Sequence, residues 1–251
     1  VGLLDSDDPA EVAAAAAQNE GSISIQMEEI RNHPKVEVRK EHYEKATVYD
    51  PPNVFSVFIP SFTVLFAFFV VPILSVELIR EREEGTLRRL VSAPIGRSSI
   101  VVGKILAFLL VVILQVAIVF GVANLAFGMP LGDSPLGLLI LTLAMGFAAT
   151  ALGLMLAGLS KSRSQANSLG LMVVFGIGVL GGCFPLGPVL LSRTGGFLGM
   201  ISKLTPQAHA LEGYRIILVE GGGVVDVLPQ VGVLLAMGIV FFLIARWRFK
   251  F

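Results

Sequence analysis

Cysteine is almost missing from this chain. Cys183 stands alone, so no disulfide can form within it, and its apolar neighbours read as those of a small buried hydrophobe. Histidine is nearly as scarce, with only His33, His42 and His209, and no Cys/His cluster of the kind a zinc site needs is present. Charge is thin as well: Asp, Glu, Lys and Arg make up 15% of 251 residues. The basic residues are scattered rather than gathered into one patch, which leaves nucleic-acid binding without support. No Gly-x-x-x-x-Gly-Lys-[Ser/Thr] phosphate loop occurs, so the chain has no nucleotide-hydrolysing motif of its own. No basic n-region followed by an apolar core is visible at Val1, so no targeting segment is read there.

What is abundant is apolar surface. Hydrophobic residues make up 54% of the chain and the mean hydropathy is +0.79, far above the soluble norm. The net charge of zero hides an asymmetry. Residues 1–56 carry five Lys/Arg against eleven Asp/Glu, a net of −6, and the remainder carries fourteen against eight, a net of +6. An acidic, polar head precedes an apolar body. The head reads as one alanine-rich helix over 9–19 and a strand around 36–39, too little for an independent core.

A helix needs roughly 20 mostly apolar residues to cross a bilayer. Five segments qualify, at about 57–79, 100–127, 136–159, 169–191 and 225–245. Pro60 and Pro72 predict a kink or loosened ladder in the first. The fourth, with Gly170, Gly176, Gly178, Gly181 and Gly182, suits close helix packing and predicts a break near its end. Every other connection is basic: Arg80, Arg82, Arg88, Arg89 and Arg97; then Lys161 and Arg163; then Arg246, Arg248 and Lys250. By the positive-inside rule these lie in the cytosol, with the C-terminus, and residues 1–56 lie outside. An external head needs a span before it, so the expectation is a complete subunit of six spans, of which this chain holds five.

The densest charge is the island from Arg80 to Lys104. Leu87, Leu90 and Val91 would form a narrow apolar stripe on a helix, flanked by Arg88 and Arg89. Gly85 weakens that helix and Pro94 stops it. On these features alone the island reads either as a solvated, topology-setting loop or as a short interfacial helix that docks on a cytosolic protein. Its order, Glu81-Arg82-Glu83-Glu84-Gly85-Thr86-Leu87, then Pro94, then Gly103-Lys104, resembles the signature of type-2 ATP-binding-cassette (ABC) transporter permeases. Gly182-Cys183-Phe184-Pro185, Leu204-Thr205-Pro206 and Glu212-Gly213-Tyr214-Arg215 continue the likeness, which covers roughly residues 50–251.

That resemblance implies an all-α integral membrane protein with a short re-entrant hairpin and a small external N-terminal segment. It also implies export, multi-pass placement in the plasma or inner membrane, and a second permease subunit. Cytosolic ABC ATPases, which hold the ATP and Mg, would be touched by Glu83, Glu84, Gly85, Thr86, Leu87, Arg88 and Pro94. Phe184, Pro185, Pro206, His209, Glu212 and Arg215 would form an external re-entrant or gate region. The very apolar spans fit a lipophilic or amphiphilic cargo and contact with membrane lipids.

His209, Glu212 and Arg215 fall at i, i+3 and i+6, so a helix would line them along one face. The residues leave open whether that face is a local Glu212–Arg215 anchor or a polar lining for substrate. Glu77 reads chiefly as an interfacial partner of Arg80 at i+3, and Lys104 as a snorkelling side chain. Two other classes stay in view. Glu83-Glu84-x-x-x-Arg88 spells a motif of prenyl-protein-type membrane proteases, which also need histidines on neighbouring spans. A channel or membrane scaffold would need no ATPase.

Overall fold

The computed structural model describes residues 54–86, 97–184 and 197–248, and all the described residues are helical or in the turns between helices, with no strand among them. The expected helix over 9–19, the strand around 36–39, and Leu87, Arg88, Pro94 and Pro185 of the candidate sites lie outside the described residues.

The first expected span is two helices, α1 (Val54–Ala67) and α2 (Val70–Glu83), which run as one stretch across a break at Phe68–Phe69. Pro72 explains the position of the break. It has no N–H to offer Phe68 and its ring crowds that carbonyl, so Val71 bonds to the Phe68 carbonyl at 3.0 Å instead. Pro60 sits inside α1 without ending it.

Helix α3 (Arg97–Phe127) and α4 (Pro135–Leu159) follow. Ser134 caps α4 by accepting from the Gly137 N–H at 3.2 Å, and Pro135 occupies the first turn, where its missing donor costs nothing. Helix α5 (Arg163–Leu180) is capped by Ser162 and ends at Gly181-Gly182, with Gly182 at φ +82°. The predicted break is therefore present. Two short helices, α6 (Phe197–Ser202) and α7 (Pro206–Leu218), lead to α8 (Val224–Arg248).

Among the described residues four stretches are long and apolar enough to cross a membrane: α1–α2, α3, α4 and α8. The remaining expected span falls on α5, which starts before residue 169 and ends before 191. It has 18 residues, and its first turns carry Arg163, Gln165 and Asn167.

Helix α4 is the centre of the bundle. Within its apolar stretch 67% is buried by other helices, against 17% in α3 and 22% in α8. Lipid tails are as apolar as leucine, so such helices associate through close approach and polar contacts rather than water exclusion. Glycines on α4 and α5 supply the approach. A Cβ on Gly170 would stand 2.6 Å from Cβ of Pro72, and one on Gly153 3.2 Å from the Val71 carbonyl. The Ser75 hydroxyl lies 2.6 Å from the Val71 carbonyl and 2.8 Å from the Gly153 carbonyl, so its one proton is shared between α2 and α4.

Candidate functional site

The tip of α2 carries the sequence Arg80 to Thr86. Glu81, Glu83 and Glu84 sit at the C-terminal end of a helix, where the backbone dipole disfavours negative charge. Cations from two other helices offset this. Lys104 of α3 reaches Glu81 at 2.5 Å, with both side chains about one-fifth exposed. Arg163, in the first turn of α5, donates to Glu83 at 2.6 Å and to Glu84 at 3.3 Å. Arg80 donates to Glu84 at 2.9 Å, and that hydrogen bond holds the Glu84 carboxyl below its ordinary range. The expected Glu77–Arg80 contact is present only at 3.9 Å, so Glu84 is the closer partner of Arg80. Lys104 does reach toward the polar end, and Glu81 is what it finds there.

Gly85 follows in the left-handed region at φ +72°, the conformation that lets a helix stop and turn away. A Cβ there would meet nothing within 4 Å. Conformation rather than space therefore calls for glycine at this position. Thr86 Oγ1 donates back to the Glu81 carbonyl at 3.0 Å, which satisfies one of the open carbonyls of the helix end. Glu83, Glu84, Gly85 and Thr86 thus form a fastened helix tip.

The second candidate region lies near the other end of α4. Thr205 caps α7 by accepting from the Ala208 N–H at 3.3 Å, with Pro206 at its first turn. Helix α7 is 13 residues long, about 20 Å, which is short of the roughly 30 Å hydrocarbon core. Its inner face is nevertheless fully buried. The Tyr214 hydroxyl lies 2.9 Å from that of Thr142 on α4, whose proton is already directed to the Leu138 carbonyl at 2.6 Å, so Tyr214 donates. Gln207 Nε2 reaches the Val174 carbonyl of α5 at 3.4 Å.

His209, Glu212 and Arg215 share the opposite, half-buried face of α7. His209 Nε2 lies 2.8 Å from the Lys203 carbonyl, which can only accept, and Nδ1 lies 2.7 Å from the Gln230 side chain on α8. Both ring nitrogens thus face oxygen acceptors, the Lys203 carbonyl and Gln230 Oε1. Arg215 donates to Glu220 at 2.8 Å. Phe184 follows Cys183 beyond the α5 break and packs on the main core.

His209 and the Glu83–Glu84 pair are not brought together. One belongs with α7 beside the first half of α4 and the other lies beyond its last turn, and Thr142 to Leu159 alone spans about 25 Å. A protease site built on that pair thus lacks its histidine among the described residues. No group of three His, Cys, Asp or Glu side chains there is placed to hold a metal ion. Residue spacing missed Arg163, Gln207, Tyr214 and Thr142 as structural partners, since each acts through a contact distant in sequence.

Comparison with known proteins agrees with this architecture. The chain is 32% identical over 176 residues to the inner membrane transport permease YhhJ of Escherichia coli, covering 69% of this chain and 46% of that protein. It is 25% identical over 181 residues to the linearmycin resistance permease protein LnrN of Bacillus subtilis, covering 72% and 46%. It is 29% identical over 182 residues to ABC transporter G family member 20 of Dictyostelium discoideum, covering 70% and 24%. The chain thus spans less than half the length of these relatives. Residues 9–247 match the family described as ABC-2 family transporter protein, and the chain belongs to that family of type-2 ABC permeases.

Proposed function

We propose that this chain is the membrane-spanning subunit of an ATP-driven exporter, and that the fastened tip of α2 is where it receives force. ATP and Mg belong to separate cytosolic ATPase subunits, which dock at Glu83 to Thr86 and at the following Leu87, Arg88 and Pro94. In this reading the charged end of the bundle and the C-terminus face the cytosol, and residues 1–56 face outward. Two permease chains, identical or closely related, enclose one pathway for a lipophilic or amphiphilic substrate. Helices α6 and α7 form a re-entrant hairpin at the outer side, with Phe184, Pro185, Pro206, His209, Glu212 and Arg215 around the exit.

One observation carries this reading. The tip is tied to α3 through Lys104 and to α5 through Arg163, so a push there moves three helices together rather than one loop. Closure of two ATPases would draw two such tips together and rock the helices attached to them.

The test is a Gly85→Trp/Thr86→Trp variant reconstituted with its ATPase. Both side chains point into open or exposed space, so insertion should survive. Transport per ATP hydrolysed should fall about tenfold or more, the size expected from misplacing the tip by a strain of ~1–2 kcal/mol. Transport at the parental rate would overturn the coupling role.

A further inference from the structure

A cleft of about 710 Å³ opens at the charged end, between the ends of α2, α4 and α8. That volume lies within the range of sites that hold compact ligands. Its walls combine two chemistries. Ile79 and Leu159 are apolar, while Arg82, Lys161 and Arg248 bring three cationic groups. None of those three forms an ion pair among the described residues, unlike Arg80, Lys104 and Arg163 at the same end. Glu83 also borders the cleft, but its carboxylate is held by Arg163 at 2.6 Å. The cleft is thus a surplus of positive charge over an apolar floor.

Its depth is equally informative. The three contributing stretches are those whose spans end at Glu83, Leu159 and Arg248, so the cleft lies where hydrocarbon gives way to headgroups. Trp247, the only tryptophan, borders it with 77% exposure, as expected of an aromatic anchor at that boundary. Behind it on α8, Val240, Leu243 and Ile244 are exposed at i−7, i−4 and i−3. They make one apolar track that runs along the helix to the mouth of the cleft.

We propose that this cleft binds the headgroup of an anionic glycerophospholipid, with its phosphate among Arg82, Lys161 and Arg248 and an acyl chain along the α8 track. Charge complementarity favours an anionic over a zwitterionic headgroup, and the continuous apolar track favours a lipid over a free anion. The proposal rests on the membrane placement of the family and is independent of the coupling role of Gly85-Thr86.

The experiment is native mass spectrometry of the full chain, extracted from bilayers with equal phosphatidylglycerol and phosphatidylcholine. Phosphatidylglycerol should be retained preferentially. The Arg82→Gln/Lys161→Gln variant should bind it about 25-fold more weakly, at about fivefold for each basic group removed. Arg246→Gln, at the same helix end but outside the cleft lining, should bind as the parent does. Lys161→Gln alone gives the same reading if the double variant does not fold.

Equal retention of phosphatidylcholine, or undiminished phosphatidylglycerol in the cleft variants, would overturn the proposal. Displacement by inorganic phosphate or glycerol 3-phosphate as readily as by the lipid would make this a small-anion site. Loss of a co-purifying ATPase with the lipid still bound would make it a protein-docking surface. No ATP is needed for the measurement, so its failure leaves the exporter reading untouched.

Discussion

Replacing Lys104 with methionine should loosen the whole charged end. Its ammonium meets Glu81 Oε1 at 2.5 Å with both side chains about four-fifths shielded, and Glu81 Oε2 has no hydrogen-bond partner among the described residues. Methionine keeps the length and apolar stem of lysine but leaves the carboxylate shielded and unmatched. Breaking a buried pair in this way costs about 3–5 kcal/mol, and the residual exposure argues for the lower end, about 3 kcal/mol. For a chain of this size that corresponds to a melting temperature lower by about 6–12 °C. Removing both charges together, as Lys104→Met/Glu81→Leu, leaves no unmatched ion, and most of the loss should return. The difference between double and single variants, read by thermal unfolding in one detergent, is the coupling energy of the pair. A single variant as stable as the parent, or a double as weak as the single, would refute the reasoning.

Gly170→Ala places a methyl 2.6 Å from Pro72, whose ring is fixed to the backbone. It should cost about 1–3 kcal/mol in unfolding experiments, while Gly176→Ala, with open space at its Cβ, should cost nothing measurable. Tyr214→Phe removes one donor from Thr142 but leaves the Thr142 bond to Leu138 intact, so a loss of about 1 kcal/mol is expected by the same assay. Glu84 has its carboxyl pulled below the ordinary value of 4.5, chiefly by the hydrogen bond from Arg80. Its contribution is therefore complete above that value and is lost as the pH falls through the lowered one. Hydrogen exchange at the end of α2 should rise at acid pH in the parent, and Glu84→Gln should abolish that step.

The helices were legible where sequence periodicity and local chemistry coincide. Pro72 marked the interruption of the first span, whereas the caps at Ser134-Pro135 and Thr205-Pro206, equally local, were not used to place helix starts. The ion pairs of the charged tip were less legible. Glu81 meets a lysine 23 positions away and Glu83 an arginine 80 away, and no local pattern encodes those distances. Spacing pointed to Glu212 as a neighbour of Arg215 and gave no sign of Glu220. What brings Glu220 within reach is the end of α7, where Gly221 at φ +68° and a bond from the Gly222 N–H to the Ile216 carbonyl at 2.8 Å reverse the chain. That reversal brings Glu220 back over Arg215. Arg163, counted as a loop charge, is the first residue of α5, because the Ser162 cap that starts the helix precedes its apolar stretch.

The missing rung between Phe68 and Pro72 has a mechanical corollary. A continuous rod would carry axial load from one membrane face to the other, whereas this one has a compliant joint partway along. In the proposed coupling, force on the acidic tip would travel stiffly only as far as Pro72. There the ring abuts Gly170 with no room for even a methyl group, and the load would pass sideways into α5. The aromatic half of the stretch, with Phe58, Phe62 and Phe66 facing outward, would be spared the thrust.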